Sequence, residues 1–503
     1  MKAEHVDVVI VGAGLSGIGA ACRLQRECPH KRYVIIEARA AMGGTWDLFR
    51  YPGIRSDSDM HTLGYDFKPW REEKAIADGP SILRYIKETA AEYGVDKNIR
   101  YQQRLRHANW SSNNACWQLE IASGDGDNVV RLSCSFLFMC SGYYSYEQGY
   151  TPVFKQQNQF NGTIIHPQHW PKNFNYRDKR VVVIGSGATA VTLVPEMAQA
   201  AAHVVMLQRT PTYIVSMPAR DRVANWLRKL LPINWAYRLT RWKNIVFQQF
   251  IYRRSRKKPE RIKKVLLKRV QKALGAHADI DRDFTPPYRP WDQRMCLVPD
   301  SDLFEAINSG KASVVTGQIE SFTGNGIELV GGQQLQADVI VTATGLQLVV
   351  LGGATFSIDK QVIDFADTIT YKGIMFSTVP NLVSTFGYTN ASWTLRADLI
   401  AEYVCRVLKY MDAKQVDYCI PTLTTTERQM ATKPWFNDFT PGYIQRDVDR
   451  FPKQGDHSPW TNTQNYKNDK KLFRKDPIDD GNLCFHHRQS VAEVDAIELQ
   501  SVG

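Results

Sequence analysis

Apolar residues in this chain gather in short runs that stop at a glycine or an acid, and stretches of helical spacing follow them. The run from Asp7 ends at Gly12, a helical pattern continues to about Glu27, and a second run, Tyr33 to Ile36, ends at Glu37. Strand, tight turn, helix and strand make a βαβ unit. The order returns some 170 residues later as Arg180–Gly185, Ala188–Ala200 and Val204–Gln208. Two more strand-like runs, Phe136–Cys140 and Val339–Thr342, end in small residues and are expected to close one sheet each. The pattern predicts an α/β fold of two Rossmann-like domains with a helical insertion in the second. The expected boundaries are 1–145 for the first domain and 146–220 for the start of the second. A helical insertion spans 221–290, the second domain resumes over 291–380, and 381–503 returns to the first domain. From about Thr424 the chain turns polar and rich in Pro, Asn and Asp, which predicts long surface loops.

Composition narrows the class. The chain has 503 residues, 43% apolar and 23% charged, enough for two or three cores and too apolar for disorder. No apolar run approaches the ~18 residues of a membrane-spanning helix. The stretch Val6–Val11 runs straight into glycines and reads as a strand, not as a signal segment. Nine cysteines, odd in number and never spaced Cys-x-x-Cys, argue against a disulfide framework, a metal site or a redox pair. A cytoplasmic setting is expected.

The turn Gly12-Ala13-Gly14-Leu15-Ser16-Gly17 matches G-x-G-x-x-G. The first glycine permits the bend, the second admits a pyrophosphate to the backbone, and the third lets helix and strand pack closely. The helix N-terminus offers free N–H groups to phosphate. Glu37, at the end of the next strand, is placed to accept hydrogen bonds from ribose hydroxyls. In the second turn, Gly185-Ser186-Gly187-Ala188-Thr189-Ala190, alanine holds the third place. Where the first unit has Glu37, the second has Gln208-Arg209-Thr210. A carboxylate there would repel a ribose 2′-phosphate, whereas a guanidinium grips one. The first site therefore reads as FAD-binding and the second as NADPH-binding.

Two longer motifs accompany the turns. Phe160, Gly162, His166, Trp170 and Pro171 fit F-x-G-x-x-x-H-x-x-x-W-P, and the segment Gly43 to Asp57 fits G-G-x-W-x-x-x-x-Y-P-G-x-x-x-D. Both resemble the fingerprints of type I Baeyer–Villiger monooxygenases; the related flavin-containing monooxygenases usually lack the tryptophan. From Val6 to about Gln464 the chain resembles that family's mycobacterial thioamide-activating subgroup, most clearly at Gly44–Asp59, Ile164–Pro171, Trp291–Pro299 and Gly387–Thr394.

The resemblance implies an order of events in which NADPH reduces FAD, dioxygen adds at flavin C4a, and the peroxyflavin attacks a ketone carbonyl or a soft heteroatom. Esters, and oxidised sulfides or thioamides, are the implied products. Arg294 is implied to stabilise the peroxide and the tetrahedral intermediate, and Asp57 to pair with Arg294. Gly44 and Thr45 would lie by the flavin, Trp46 and Tyr51 would pack on it or belong to the core, Trp393 would line the cofactor cleft, and His166 would couple domain movements or serve structure alone. Many members carry lysine where this chain has Gln293, so the preference for NADPH would rest on Arg209 and Thr210. An alternative is a flavin-containing monooxygenase confined to nitrogen and sulfur oxygenation, against which Trp170 and Asp57 speak. A dinucleotide-sensing regulator without turnover is a third reading, disfavoured by Arg294 and Asp57.

The net charge of +12 is localised. Residues 222–272 hold 17 Lys/Arg against one acid, Glu260, which leaves the remainder of the chain slightly acidic. Residues 226–272 mix these cations with Trp226, Trp235, Trp242, Phe247, Phe250 and Tyr252. Such a segment suits peripheral contact with an anionic membrane at its inner face, or a solvated helical cap packed on the NADPH domain. No recognition motif for nucleic acid accompanies it.

Overall fold

In the computed structural model, described over residues 4–124, 128–276, 278–436 and 440–488, two open sheets stand side by side. In chain order the first sheet begins with β1 (Glu4–Val11), β2 (Tyr33–Ile36), β3 (Ile99–Arg100), β4 (Gln103–Ser111), β5 (Cys116–Ser123) and β6 (Asn128–Met139). The second sheet is β7 (Thr163–Ile165), β8 (Arg180–Ile184), β9 (His203–Gln208), β10 (Ala312–Thr316) and β11 (Val339–Thr342). The chain then re-enters the first sheet with β12 (Thr355–Ile358), β13 (Gln361–Val362) and β14 (Leu382–Ser384).

The first sheet runs β13-β12-β4-β5-β6-β1-β2-β3, with β14 also on β6. Its β14-β6-β1-β2-β3 part is parallel, while β4-β5-β6 is an antiparallel meander. The second sheet, β10-β9-β8-β11-β7, is wholly parallel. Strands buried on both faces need apolar residues at every position, which is why Val181, Val182, Val183 and Ile184 follow one another without alternation. The first return to the opening sheet thus comes at Thr355, about 25 residues before the expected boundary, because Thr355–Ile358 pairs with His107–Trp110. The strands Phe136–Cys140 and Val339–Thr342 do not close their sheets either: β6 and β11 each have neighbours on both sides.

Each sheet carries a helix from its glycine turn, α1 (Leu15–Glu27) and α2 (Ala188–Met197). The insertion consists mainly of α3 (Arg222–Leu230), α4 (Ile233–Lys257) and α5 (Pro259–Leu274). It is more than a cap on the second domain. Leu266, Val270 and Leu274 of α5 face the second domain, and Val270 and Leu274 belong to its core, but α4 packs on the first domain. There the Tyr237 hydroxyl donates to Tyr65 O at 2.8 Å, and Arg241 donates to Gly64 O at 2.7 Å and to Asp398 at 3.1 Å.

The segment after Thr424 is also more than surface loop. Trp435, Phe436, Ile444 and Phe451 form an apolar cluster with Phe386, and Trp460 is fully buried. Helix α7 (Tyr466–Arg474) packs on α6 (Trp393–Lys414) through an ion pair, Arg396 to Asp469 at 3.2 Å, that is 0% exposed on both sides. Asp469 also accepts the Tyr388 hydroxyl at 2.8 Å, fixing a side chain that lines the large cleft. Removing one member of such a pair strands a buried charge. Asp469→Ala is therefore expected to destabilise the fold by ~3–5 kcal/mol in denaturant unfolding, and the double replacement Arg396→Met/Asp469→Leu to recover most of that loss.

Candidate functional site

Both glycine turns open on one cleft of about 1430 Å³, reached by the carboxyl ends of both sheets at Val11, Ile36, Cys140, Ile184, Leu207 and Ala343. This is where open α/β sheets bind ligands. Gly12 has φ +103°, and a Cβ there would lie 2.6 Å from Cys140 O. A Cβ on Gly17 would lie 1.8 Å from Gly12 O, so the third glycine is required by helix–strand contact. Gly14 is the N-cap of α1 and has no side chain to cap it. The Gly43 N–H donates to Ala13 O at 2.9 Å, and a Cβ on Gly44 would meet Gly14 Cα at 3.0 Å. The second fingerprint is thus fastened to the first turn backbone to backbone. A bare helix N-terminus walled by glycines fits a pyrophosphate.

Around this turn the remaining residues fall into place. The Glu37 carboxylate, 5% exposed, accepts the N–H of Ala13 at 2.8 Å and of Arg39 at 2.9 Å. Burial pushes its pKa above the usual carboxylate value, opposed by those two N–H groups. Its first task is to tie the end of β2 to the turn. Ser16 Oγ accepts the Trp393 indole N–H at 2.8 Å, and Thr45 Oγ1 lies 2.6 Å from the Tyr144 hydroxyl. Trp46 is half-buried at the cleft wall. Tyr51 borders the cleft, and its side chain also packs in the apolar cluster of the second domain. Burial pushes its phenol up to about 12.

At the second turn, Gly185 has φ +141° and a Cβ there would meet Ala343 O at 2.4 Å. Gly187 caps α2 with open space before it, followed by Ala188 and Thr189 on the cleft. The Thr210 carbonyl accepts Ser186 Oγ at 2.9 Å, which holds the end of β9 to the turn. Arg209 is exposed on the cleft with no hydrogen-bond partner among the described residues, and Gln293 also lines the cleft.

Arg294 meets Asp57 in a bidentate pair, Nε to Oδ2 at 2.6 Å and Nη2 to Oδ1 at 2.9 Å. Each side chain keeps about a third of its surface open to the cleft. Burial opposes the guanidinium charge, but Asp57 together with Tyr143 and Tyr443 holds Arg294 above its ordinary pKa. Arg294 is positioned by the strand that follows it: Cys296–Pro299 pairs in parallel with Ile214–Met217. Asp57 is positioned by its neighbour Ser56, whose N–H donates to Ala77 O at 2.9 Å.

The linker motif behaves differently from the turns. Phe160 and Trp170 do not line the cleft; Phe160 packs on Phe322, and Trp170 stands edge-on to Phe174 and Tyr176. Gly162 lets the chain pass Asp338 O, which a Cβ would approach to 2.4 Å. His166 and its neighbour Pro167 reach the cleft, the His166 ring lying where a Cβ on Gly149 would be, with Nδ1 accepting the Gln168 N–H at 3.2 Å.

An aromatic wall escaped the sequence reading. Tyr143, Tyr144 and Tyr146 follow β6 into the cleft, Tyr143 stacks on Trp393 at 5.3 Å, and Tyr443 and Arg446 enter from the C-terminal segment. The signal available was their position just beyond a strand's carboxyl end.

Two Rossmann-like halves sharing one cleft define a protein that binds two dinucleotides. Residues 65–412 match the family model described as flavin-binding monooxygenase-like, and residues 10–72 match an NAD(P)-binding Rossmann-like domain. The chain belongs to the flavin-binding monooxygenase-like family. It is 52% identical over 489 residues to the FAD-containing monooxygenase EthA of Mycobacterium tuberculosis, covering 96% of this chain and 98% of the relative. In fold it is similar to an oxidised steroid monooxygenase bound to NADP, with a TM-score of 0.77, 20% identity, and 96% and 100% of the two chains covered. It is also similar to cyclohexanone monooxygenase bound to ε-caprolactone, with a TM-score of 0.67, 20% identity, and coverage of 84% and 91%.

Burial holds the pKa of His166 below its ordinary value of 6.5, so the folded protein keeps this ring neutral. The stabilisation is complete above the unfolded pKa and is lost as pH falls towards the folded one. The thermal stability of the wild type should therefore fall below about pH 6.5, and His166→Gln should lose less over the same range. His61, also buried with a lowered pKa, accounts for part of the acid sensitivity that remains.

Proposed function

We propose that the protein is an NADPH- and dioxygen-dependent FAD monooxygenase of the Baeyer–Villiger type. It inserts oxygen beside ketone carbonyls to give esters, and oxidises thioethers and thioamides. The balance is ketone, dioxygen, NADPH and a proton giving ester, NADP⁺ and water. The observation that carries the reading is the Arg294–Asp57 pair at the wall of the cleft shared by both turns. The ε-caprolactone in the cyclohexanone monooxygenase neighbour supports a ketone-to-ester reaction.

FAD, when bound, would supply the hydride-accepting and dioxygen-activating chemistry. The chain's part is to bind, orient and exclude water. Gly12, Gly14 and Gly17 with the N–H groups of α1 hold the FAD pyrophosphate, and Gly44, Thr45, Trp46 and Ser16 border it. Gly185, Gly187, Ala188 and Thr189 serve NADPH in the same way, with Arg209 and Thr210 at the 2′-phosphate. Arg294 places a fixed positive charge where negative charge develops on oxygen, in a site whose walls of Tyr143, Tyr144 and Tyr443 reduce screening. Asp57 orients that guanidinium without removing its proton. His166 and the residues Phe160, Gly162 and Trp170 brace the passage between the domains.

The test is NADPH and oxygen consumption by the FAD-loaded protein with phenylacetone or a linear 2-alkanone, with products identified. Ester formed in step with NADPH supports the proposal; inert ketones with turnover of thioethers or amines would favour heteroatom oxygenation alone. Arg294→Ala should lower ester formation by roughly 10²–10³-fold while FAD content holds. Arg209→Ala should raise the KM for NADPH by roughly 10–100-fold, as expected for a lost charge-assisted contact, and leave the KM for NADH nearly unchanged.

A further inference from the structure

The face of the insertion that looks away from both domains is apolar where a solvated helix would be polar. On α4, Trp235, Leu239, Trp242, Val246 and Phe250 are 43–66% exposed. At 100° per residue they fall within an arc of about 80°, and the stripe runs about 22 Å along the helix. On α3, Val223, Trp226 and Leu230 are 48–60% exposed and recur at the same helical spacing. Isolated exposed hydrophobic residues need no explanation, but a rank of them along adjoining helices does.

This is not a helix turned the wrong way. Its opposite face is fully engaged: Ala236, Tyr237, Thr240 and Arg241 are buried, and Asn244 and Gln248 donate to Asp59 at 2.9 and 2.8 Å. Lys243 pairs with Asp221 at the N-cap of α3, which fixes the two helices to one another. The aromatic stripe is therefore held outward by a rigid scaffold.

Cations accompany the stripe. Arg238, Arg253 and Lys257 are exposed at helical angles beside or within it, and Arg222 and Lys229 are exposed on α3. No acid is exposed on α3 or α4, since residues 222–257 contain none. Among the described residues no helix is long and apolar enough to cross a membrane. Tryptophans with flanking cations on a helix that lies flat are what the headgroup boundary of an anionic bilayer receives. The C-terminal end of α4 also reaches the segment that carries Arg294: Arg256 pairs with Asp292 at 2.6 Å, and Tyr252 stands edge-on to Trp291 at 5.5 Å.

We propose that the outer face of α3 and α4 docks on an anionic phospholipid surface, with Trp226, Trp235, Trp242 and Phe250 entering the headgroup boundary and the flanking Arg and Lys meeting lipid phosphates. The charge of this face selects a bilayer bearing negative headgroups, and its tryptophans distinguish such a bilayer from a purely electrostatic partner.

The experiment is flotation of the full-length, FAD-loaded protein with vesicles of phosphatidylglycerol and phosphatidylcholine in equal parts, and with phosphatidylcholine alone. Binding to the mixed vesicles is expected to be at least roughly tenfold tighter, each cation that meets the surface contributing up to roughly fivefold. It should fall sharply between about 0.1 M and 1 M salt, as the screening length drops from ~10 Å to ~3 Å. Tryptophan emission should shift to the blue on binding. The triple variant Trp226→Ser/Trp235→Ser/Trp242→Ser, with unchanged FAD content and NADPH oxidation in solution, should lose roughly tenfold or more of the vesicle affinity. Three outcomes overturn the proposal: no flotation with anionic vesicles at low salt; equal flotation of the triple variant; or self-association, or binding of a random RNA, that the triple variant abolishes while vesicles are ignored.

Discussion

Two sheets that each bind a dinucleotide at their carboxyl ends are useful together only if those ends face one space at a fixed separation. Arg294 and Asp57 are 237 positions apart in the chain, and their side chains meet at 2.6 and 2.9 Å across the wall of that space. Asp57 belongs to the segment that runs on from the first turn through Gly44, and Arg294 to the strand entry that follows the insertion. A bidentate guanidinium–carboxylate contact fixes orientation as well as distance. The contact ties the wall of the cleft contributed by the first domain to the strand entry of the second. Its surroundings are arranged to preserve it: Ser56 is pinned to Ala77, and Cys296 N–H donates to Tyr213 O at 2.8 Å.

The insertion and the C-terminal segment reinforce the same arrangement from outside. Helix α4 leaves the second domain and lays Tyr237 and Arg241 on the first, so the two halves are joined by buried hydrogen bonds as well as by the cleft. Thr440 N–H donates to Asp292 O at 2.9 Å, and Asp292 in turn pairs with Arg256. Residues 291–294 are therefore gripped by α4 on one side and by the C-terminal segment on the other. An arginine whose value lies in its position needs a backbone that does not drift, because small misplacements of a charged group cost much of its effect.

What could be read in the sequence was local, and what could not was long-range. The glycines of both turns are legible because each is demanded by a neighbour a few residues off or by the next strand, as Gly17 is by Gly12 O. Glu37 is legible for the same reason. The alignment of Arg294 with Asp57 came from resemblance; no periodicity places two residues so distant in sequence against one another. Thr355–Ile358 is too short and too mixed to announce itself as a strand, and its place beside β4 follows from tertiary pairing. The polar composition after Thr424 concealed Trp435, Phe436, Phe451 and Trp460, whose burial depends on a surface supplied by Phe386 and α6. Phe160 and Trp170, conspicuous in the linker motif, pack away from the cleft, while the less conspicuous Tyr143 and Tyr144 line it.

Two of the arginines that line the cleft, Arg209 and Arg294, differ in a way that bears on how each can act. Arg294 has committed Nε and Nη2 to Asp57, and its Nη1 lies only within 3.4 Å of Thr389 O. It retains its charge, but the Nε–Nη2 edge that would grip a phosphate bidentately is occupied, which suits a fixed electrostatic role better than the capture of a whole phosphate. Arg209 is exposed on the cleft and has no carboxylate paired with it among the described residues. A free guanidinium loses less on meeting a dianionic phosphate, since no existing pair has to be broken first. With Gln293 offering no charge at the cleft wall, the proposed function would give selection of a 2′-phosphate to Arg209 and stabilisation of charge at the reacting oxygen to Arg294.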